Sequence, residues 1–195
     1  LRTYNSLINL TTHAGGIDEN LINNVVEEHT SGLAVLTSPE EISVGQGVRP
    51  DDLYQVLLEL KQMYSSLVID AGSSLTENAV TLMDAADKII LIVTPDLPAL
   101  KDARRFLSVC KSLNYAKEKL LFVLNQADIR TGVKVEEIEK ALNTTFSAMI
   151  PSDSDAVNLS INKGIPIVIN KSRHKVSRAI RGFARDLKSS IDESK

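Results

Sequence analysis

The feature that most constrains this chain is an alternation of short apolar runs with longer amphipathic ones. "GLAVLT" (Gly32 to Thr37), "LVID" (Leu67 to Asp70), "KIILIVT" (Lys88 to Thr94), "KLLFVLN" (Lys119 to Asn125) and "TTFSAMIP" (Thr144 to Pro151) read as strands. Between them, "PDDLYQVLLELKQMY" places Leu53, Val56, Leu57, Leu60 and Met63 or Tyr64 on one helical face, with Pro50 near its start. "PALKDARRFLSVCKSL" does the same with Leu100, Ala103, Phe106, Leu107 and Cys110. "LTENAVTLMDAA", "KVEEIEKAL" and "DAVNLSINKG" are further helices, the last closed by Gly164. Strands apolar on both faces and separated by helices predict an α/β fold: a doubly wound, mostly parallel sheet with helices on both faces. The expected organisation is one domain over residues 1–188 and a disordered tail over 189–195.

Composition removes several alternatives. No apolar stretch approaches the ~20 residues that a bilayer-spanning helix requires. Cys110 is the only cysteine, so no internal disulfide can form, which fits a reducing, cytoplasmic location. Its place in "FLSVCKSL" reads as a small apolar packing position. His13, His29 and His174 are too scattered to suggest a metal site. With no Trp and 4% aromatics, a fold that stacks nucleic-acid bases is not expected.

The net charge of -3 hides an asymmetry, because Lys171 to Lys188 carries seven Lys or Arg against Asp186 alone. In "HKVSRAIRGFARDLKS", Val176, Ile180, Phe183, Ala184 and Leu187 share one helical face, and Arg178, Arg181, Arg185 and Lys188 lie towards the other. Two readings stand: a core-packed helix with a solvated basic face, or peripheral contact with an anionic membrane surface or contact with DNA. Gly182 weakens an isolated helix there by ~1 kcal/mol relative to Ala. Arg104 and Arg105 form a second basic spot, read as surface residues or as part of a partner face.

In open α/β sheets ligands lie beyond the carboxyl ends of the strands. Four such ends stand out: "IDAGSS", "IVTPDLPAL", "VLNQAD" and "MIPSDSDA". Taken singly, an Asp there is more often a helix cap or a turn. Each also has a chemical reading. Asp70 can accept hydrogen bonds from water on Mg²⁺, a cation that keeps most of its hydration shell. The backbone N–H groups of Gly72, Ser73 and Ser74 can face an anion ahead of the next helix. The Asn125 amide offers a donor and an acceptor, which suits the edge of adenine. No GxGxxG follows a strand, which disfavours a dinucleotide-binding enzyme.

The order of these ends resembles the later three-quarters of a MinD/ParA-type ATPase domain, most closely the TadZ/CpaE branch serving Flp/Tad pilus assembly. The segments that carry it are "SGLAVLTSPEE", "YSSLVIDAGSSLTENAVTLMDAADKIILIVTPDLPALKDARRFL", "KLLFVLNQADIRTGVKVEEIEKAL" and "IPSDSDAVNLSINKGIPIV", within about Leu21 to Arg185. The resemblance implies a P-loop NTPase-like sheet, ATP and Mg²⁺ as cofactors, and a homodimer closed around nucleotide. It makes Asp70 the Walker B carboxylate, reaching Mg²⁺ through water, and Gly72 to Ser74 a switch segment. Asn125 would bond adenine, and Pro151, Ser152 and Asp153 would form the loop beside the base.

Two departures qualify this. Ala71-Gly72-Ser73 stands where relatives usually carry a proline. None of the nine glycines is followed by lysine, so the sequence holds no Walker A loop. In the family that loop lies on a first strand beside the one ending in Asp70, and it is expected upstream of Leu1. Two functions follow as expectations. One is an ATPase that positions or assembles a Flp/Tad pilus or a type II-like secretion machine, at the inner membrane or cell pole, hydrolytic only with the upstream loop. The other is a non-catalytic scaffold or localisation module of the same fold that binds nucleotide weakly or not at all.

Overall fold

The computed structural model describes residues 6–11, 17–38 and 47–192. His13 and the last three residues of the expected tail lie outside them. Packing divides the chain into two compact units, residues up to Ala86 and from Asp87 onward.

The first unit is mostly helical. Helices α1 (Leu7–Thr11) and α2 (Glu19–Val25) precede a two-residue antiparallel bridge between β1 (Glu27–Glu28) and β2 (Ala34–Val35). Asp18 caps α2 by accepting the Leu21 N–H at 2.7 Å. Helices α3 (Pro50–Met63) and α4 (Glu77–Ala85) follow. α3 starts as expected, with Pro50 at its first turn and Asp51 and Asp52 at the positive end of the helix dipole. Its predicted face is buried: Val56 and Leu60 join Leu10, Ile22 and Val25 in one cluster, with Met63 and Tyr64 against it. Lys61 Nζ donates to the Ala85 carbonyl at 2.6 Å, satisfying an oxygen that the end of α4 leaves open.

Two expected strands change here. The run Gly32 to Thr37 contributes only Ala34 and Val35 to a ladder. Leu67 to Asp70 forms no ladder among the described residues, and Val68 is 97% exposed. The cause is the same in both: an apolar run becomes a strand only where neighbouring backbone takes up its N–H and C=O groups.

The second unit holds the parallel sheet. Strand β3 (Ile89–Val93) is followed by helix α5 (Leu97–Ser112), then β4 (Leu120–Asn125), α6 (Val135–Leu142) and β5 (Ala148–Ile150). The strand order is β3-β4-β5, every pair parallel, with Ile89 opposite Leu120 and Val123 opposite Ala148. Parallel neighbours need long crossovers, and α5 and α6 supply them. Val93 and Leu124 meet Leu100 and Ala103 of α5 and Ile138 and Leu142 of α6 in the core of this unit. Cys110 is buried as expected, and burial pushes its thiol pKa up.

Helices α7 (Ser154–Asn162), α8 (Ile167–Asn170) and α9 (Lys175–Asp192) complete the chain. Gly164 ends α7 with φ +62, and the Ile165 N–H returns to the Ser160 carbonyl at 3.2 Å. α9 packs against α8 and β5. Its predicted apolar face is covered unevenly: Val176 is buried, Phe183 and Leu187 half-buried, Ile180 and Ala184 exposed. The helix runs to Asp192, so residues 189–192 of the expected tail are helical. β3 is covered on one face only; Ile92 is 65% exposed and Ile90 38%. The expected burial on both faces is thus not met by the second unit alone, which leaves Ile90 and Ile92 of β3 uncovered.

Candidate functional site

The candidate residues fall into two groups, one in each unit. In the second unit, β4 and β5 run side by side with Asn125 opposite Ile150. Asn125 and Pro151 therefore open neighbouring loops at the carboxyl end of the sheet, where ligands of open α/β sheets lie. Asn125 Oδ1 accepts the Gln126 N–H at 3.0 Å, and Gln126 takes a left-handed φ of 57°. This holds the amide in place and leaves its Nδ2 hydrogens without a partner among the described residues. The Ala127 N–H continues the ladder to the Ile150 carbonyl at 3.0 Å.

The loop after β5 is held by two carboxylates. Asp128 Oδ1 accepts the Ser152 N–H at 2.5 Å, and its Oδ2 accepts from Lys175 Nζ at 2.9 Å. The Ser152 N–H is the main reason that the Asp128 pKa lies below the ordinary carboxylate range, with Lys175 adding to it. Asp153 caps α7 by accepting the Ala156 N–H at 3.0 Å, and its Oδ2 meets His174 Nε2 at 3.0 Å. The capping N–H comes first and His174 second in holding the Asp153 pKa down. Asn125, Pro151, Ser152 and Asp153 are thus brought together. Asp128, His174 and Lys175 join them and carry no sequence signal for it, since 47 residues separate Asp128 from Lys175.

In the first unit, Asp70 closes the Leu67–Asp70 run and is followed by a turn on glycine. Its Oδ1 accepts the Gly72 N–H at 3.0 Å, and Gly72 has φ +69, a conformation that favours glycine. The Gly72 N–H, expected to face an anion, is therefore engaged by Asp70. Ser73 and Ser74 are exposed ahead of α4, whose cap is Thr76, accepting the Ala79 N–H at 3.2 Å. The other Asp70 oxygen has no partner among the described residues, which fits an acceptor for metal-bound water. No group of three or more His, Cys, Asp or Glu that could hold a metal directly occurs among the described residues. The donor set thus fits the indirect Mg²⁺ role and not a protein-built cage.

Arg104 Nε donates to the Ala141 carbonyl at 3.3 Å, and Arg105 lies 3.9 Å from Asp102. Both arginines are exposed. No helix among the described residues is long and apolar enough to cross a membrane.

No protein-family model matches the chain. It is similar to the septum site-determining protein MinD of Thermotoga maritima, 23% identical over 158 residues, covering 78% of this chain and 58% of that protein. The Bacillus subtilis MinD is 24% identical over 165 residues, covering 83% of this chain and 61% of that protein. The chain therefore spans about three-fifths of the length of these relatives. Among solved structures, a ParA family ATPase from Chlorobium tepidum superposes with a TM-score of 0.86 at 22% identity, covering 94% of this chain and 76% of that one. The MinD of Pyrococcus horikoshii, solved with Mg-ADP, gives a TM-score of 0.71 at 21% identity, with 93% and 76% covered. The MinC:MinD complex of Aquifex aeolicus gives 0.69 at 19% identity, with 94% and 77% covered. The chain has the parallel α/β fold of the MinD/ParA P-loop NTPases, the group from which its sequence relatives also come.

Proposed function

We propose that this chain is the strand-end half of a MinD/ParA-type ATPase that works by positioning other molecules. The observation that carries the reading is the pairing of β4 with β5. It sets the Asn125 amide beside the Pro151–Asp153 loop at the end of the sheet where a nucleobase would lie. In this reading Asn125 Nδ2 donates to a ring acceptor of adenine, while the loop after β5 flanks the ring. Asp70 orients water on Mg²⁺, an ion whose charge would stabilise the phosphates. The Asp70–Gly72 turn fixes the carboxylate, and Ser73 and Ser74 follow as the switch segment.

The phosphates themselves need a glycine-rich loop that these residues do not supply. We assign it to a further parallel strand on the open edge of β3. Two observations support this: β3 ends the strand order β3-β4-β5, and Leu67–Asp70 forms no ladder among the described residues, so each has backbone N–H and C=O groups that a further strand could take up. The finer reading is a homodimer that serves a Flp/Tad pilus or type II-like secretion machine at the inner membrane or cell pole. It rests on the TPDLPAL and IPSD…NKGIP segments. The relatives are named for septum-site determination, which favours spatial positioning as the shared task and leaves the cargo to experiment. The scaffold alternative keeps the same surfaces with no turnover.

Binding of Mg-ATP to the natural full-length protein, followed by calorimetry, tests the reading. Asn125→Ala is expected to weaken ATP about tenfold, the loss of one well-placed hydrogen bond to a buried partner. An unchanged affinity would remove Asn125 from the base site. The gene upstream of Leu1 should encode Gly-Lys-Ser/Thr; if it does not, the hydrolytic reading fails and the scaffold stands.

A further inference from the structure

The loop after β5 has little backbone support of its own. β5 is only three residues long and pairs with β4 alone among the described residues. Pro151 has no N–H to donate, and the Ser152 N–H goes to a side chain, Asp128. Two successive residues at the start of α9 then reach the same region. His174 meets Asp153, and Lys175 meets the Asp128 carboxylate that holds Ser152. The histidine is oriented from behind: the Val176 N–H donates to His174 Nδ1 at 3.3 Å, which leaves Nε2 as the ring atom that faces Asp153. Farther along, Ser177 Oγ donates to the Ile167 carbonyl at 3.0 Å and Arg181 to the Val168 carbonyl at 2.6 Å, locking α9 onto α8.

We propose that His174 and Lys175 form a two-point latch that positions the base-flanking loop Pro151–Asp153, and that through it base occupancy is coupled to the docking of α9. This rests on the nucleotide reading above and adds two positioning residues to it. Neither one contacts the base; each acts through an aspartate. Lys175 and Asp128 are both about half exposed, so the pair adds little to global stability. What it fixes is a geometry, holding Ser152 and Asp153 where a ring can rest against them. Coupling is reciprocal: a base that orders the loop also tightens the first turns of α9, and a loosened α9 weakens the base. The helix so coupled carries Arg178, Arg181, Arg185 and Lys188.

The test compares Mg-ATP with Mg-tripolyphosphate, which has the phosphates and no base, on the natural full-length protein. Lys175→Met and His174→Leu are each expected to weaken ATP about fivefold or more and to leave tripolyphosphate unchanged. Lys175→Arg and His174→Gln, which keep a donor, should restore ATP binding. In the parent protein ATP, but not tripolyphosphate, should slow hydrogen exchange at residues 176–181, and Lys175→Met should abolish that difference. If the parent distinguishes ATP from tripolyphosphate but the Met and Leu variants do so equally well, the latch is wrong and the base site survives. If the parent binds both alike, the base site itself is wrong and the latch falls with it.

Discussion

The two units use similar apolar runs to different ends. In the second, Ile89–Val93 and Leu120–Asn125 lie in register, and Leu91, Val93 and Leu124 pack against α5 and α6. In the first, Leu67–Asp70 has comparable β-forming residues and stays unladdered among the described residues, with Val68 in solvent. The difference lies in the partners. A strand in a parallel sheet is stabilised by hydrogen bonds and cover that come from distant sequence, whereas α3 and α4 carry their backbone bonds within themselves. Helices therefore form in both units, and extended sheet only where a neighbour is present.

The largest expected effect lies in the laddered unit. Leu124 is fully buried, and Leu124→Ala should cost about 2–5 kcal/mol by denaturant unfolding. A cost below ~1 kcal/mol would mean that this core is loosely packed and that the contrast between units is overstated. Next come the caps. Asp96 accepts the Ala99 N–H at 2.9 Å ahead of α5, and Thr76 caps α4. Alanine at either position should cost about 0.5–2 kcal/mol, similar in the two units because capping is local.

Acid should then separate them. Asp96, Asp128 and Asp153 all have lowered pKa values, so their contribution is present above the ordinary carboxylate range and is lost as pH falls through the lowered values. The Thr94 hydroxyl is the main cause at Asp96. The pKa of Asp52, at the start of α3, is likewise lowered by its bond to Arg49, so the contrast is with α4, whose cap is the uncharged Thr76. Hydrogen exchange around α7 and the start of α9 should rise in acid before that of α4, and Asp128→Asn should remove part of the dependence. The smallest effect is the most discriminating: Val68→Ser in the isolated chain should change stability by less than ~0.5 kcal/mol. If the proposed further strand and its cover complete the sheet in the natural protein, the same change should cost about 1–3 kcal/mol there.

Much of this was legible beforehand because it depends on local pattern. Pro50, Asp96 and Gly164 mark helix ends, and the 3.6-residue spacing of Leu53, Val56, Leu57 and Leu60 marks a face. The strand ends at Asn125 and Pro151 were legible for the same reason. Asp128, His174 and Lys175 were not, because their meeting depends on where α9 docks, and no local spacing encodes that. The short helices α1, α2 and α8 lack long periodic faces and were missed. Leu67–Asp70 failed for the opposite reason: its composition favours a strand, and only the absence of a ladder among the described residues prevents one.

The central claim is that Asp70 acts in nucleotide turnover and Asn125 in nucleotide binding. Steady-state Mg-ATP hydrolysis by the natural full-length protein and its Asp70→Asn and Asn125→Ala variants tests it most directly. The account predicts that Asp70→Asn lowers kcat by about a hundredfold or more with little change in KM, while Asn125→Ala mainly raises KM. Turnover that survives intact in Asp70→Asn would contradict it.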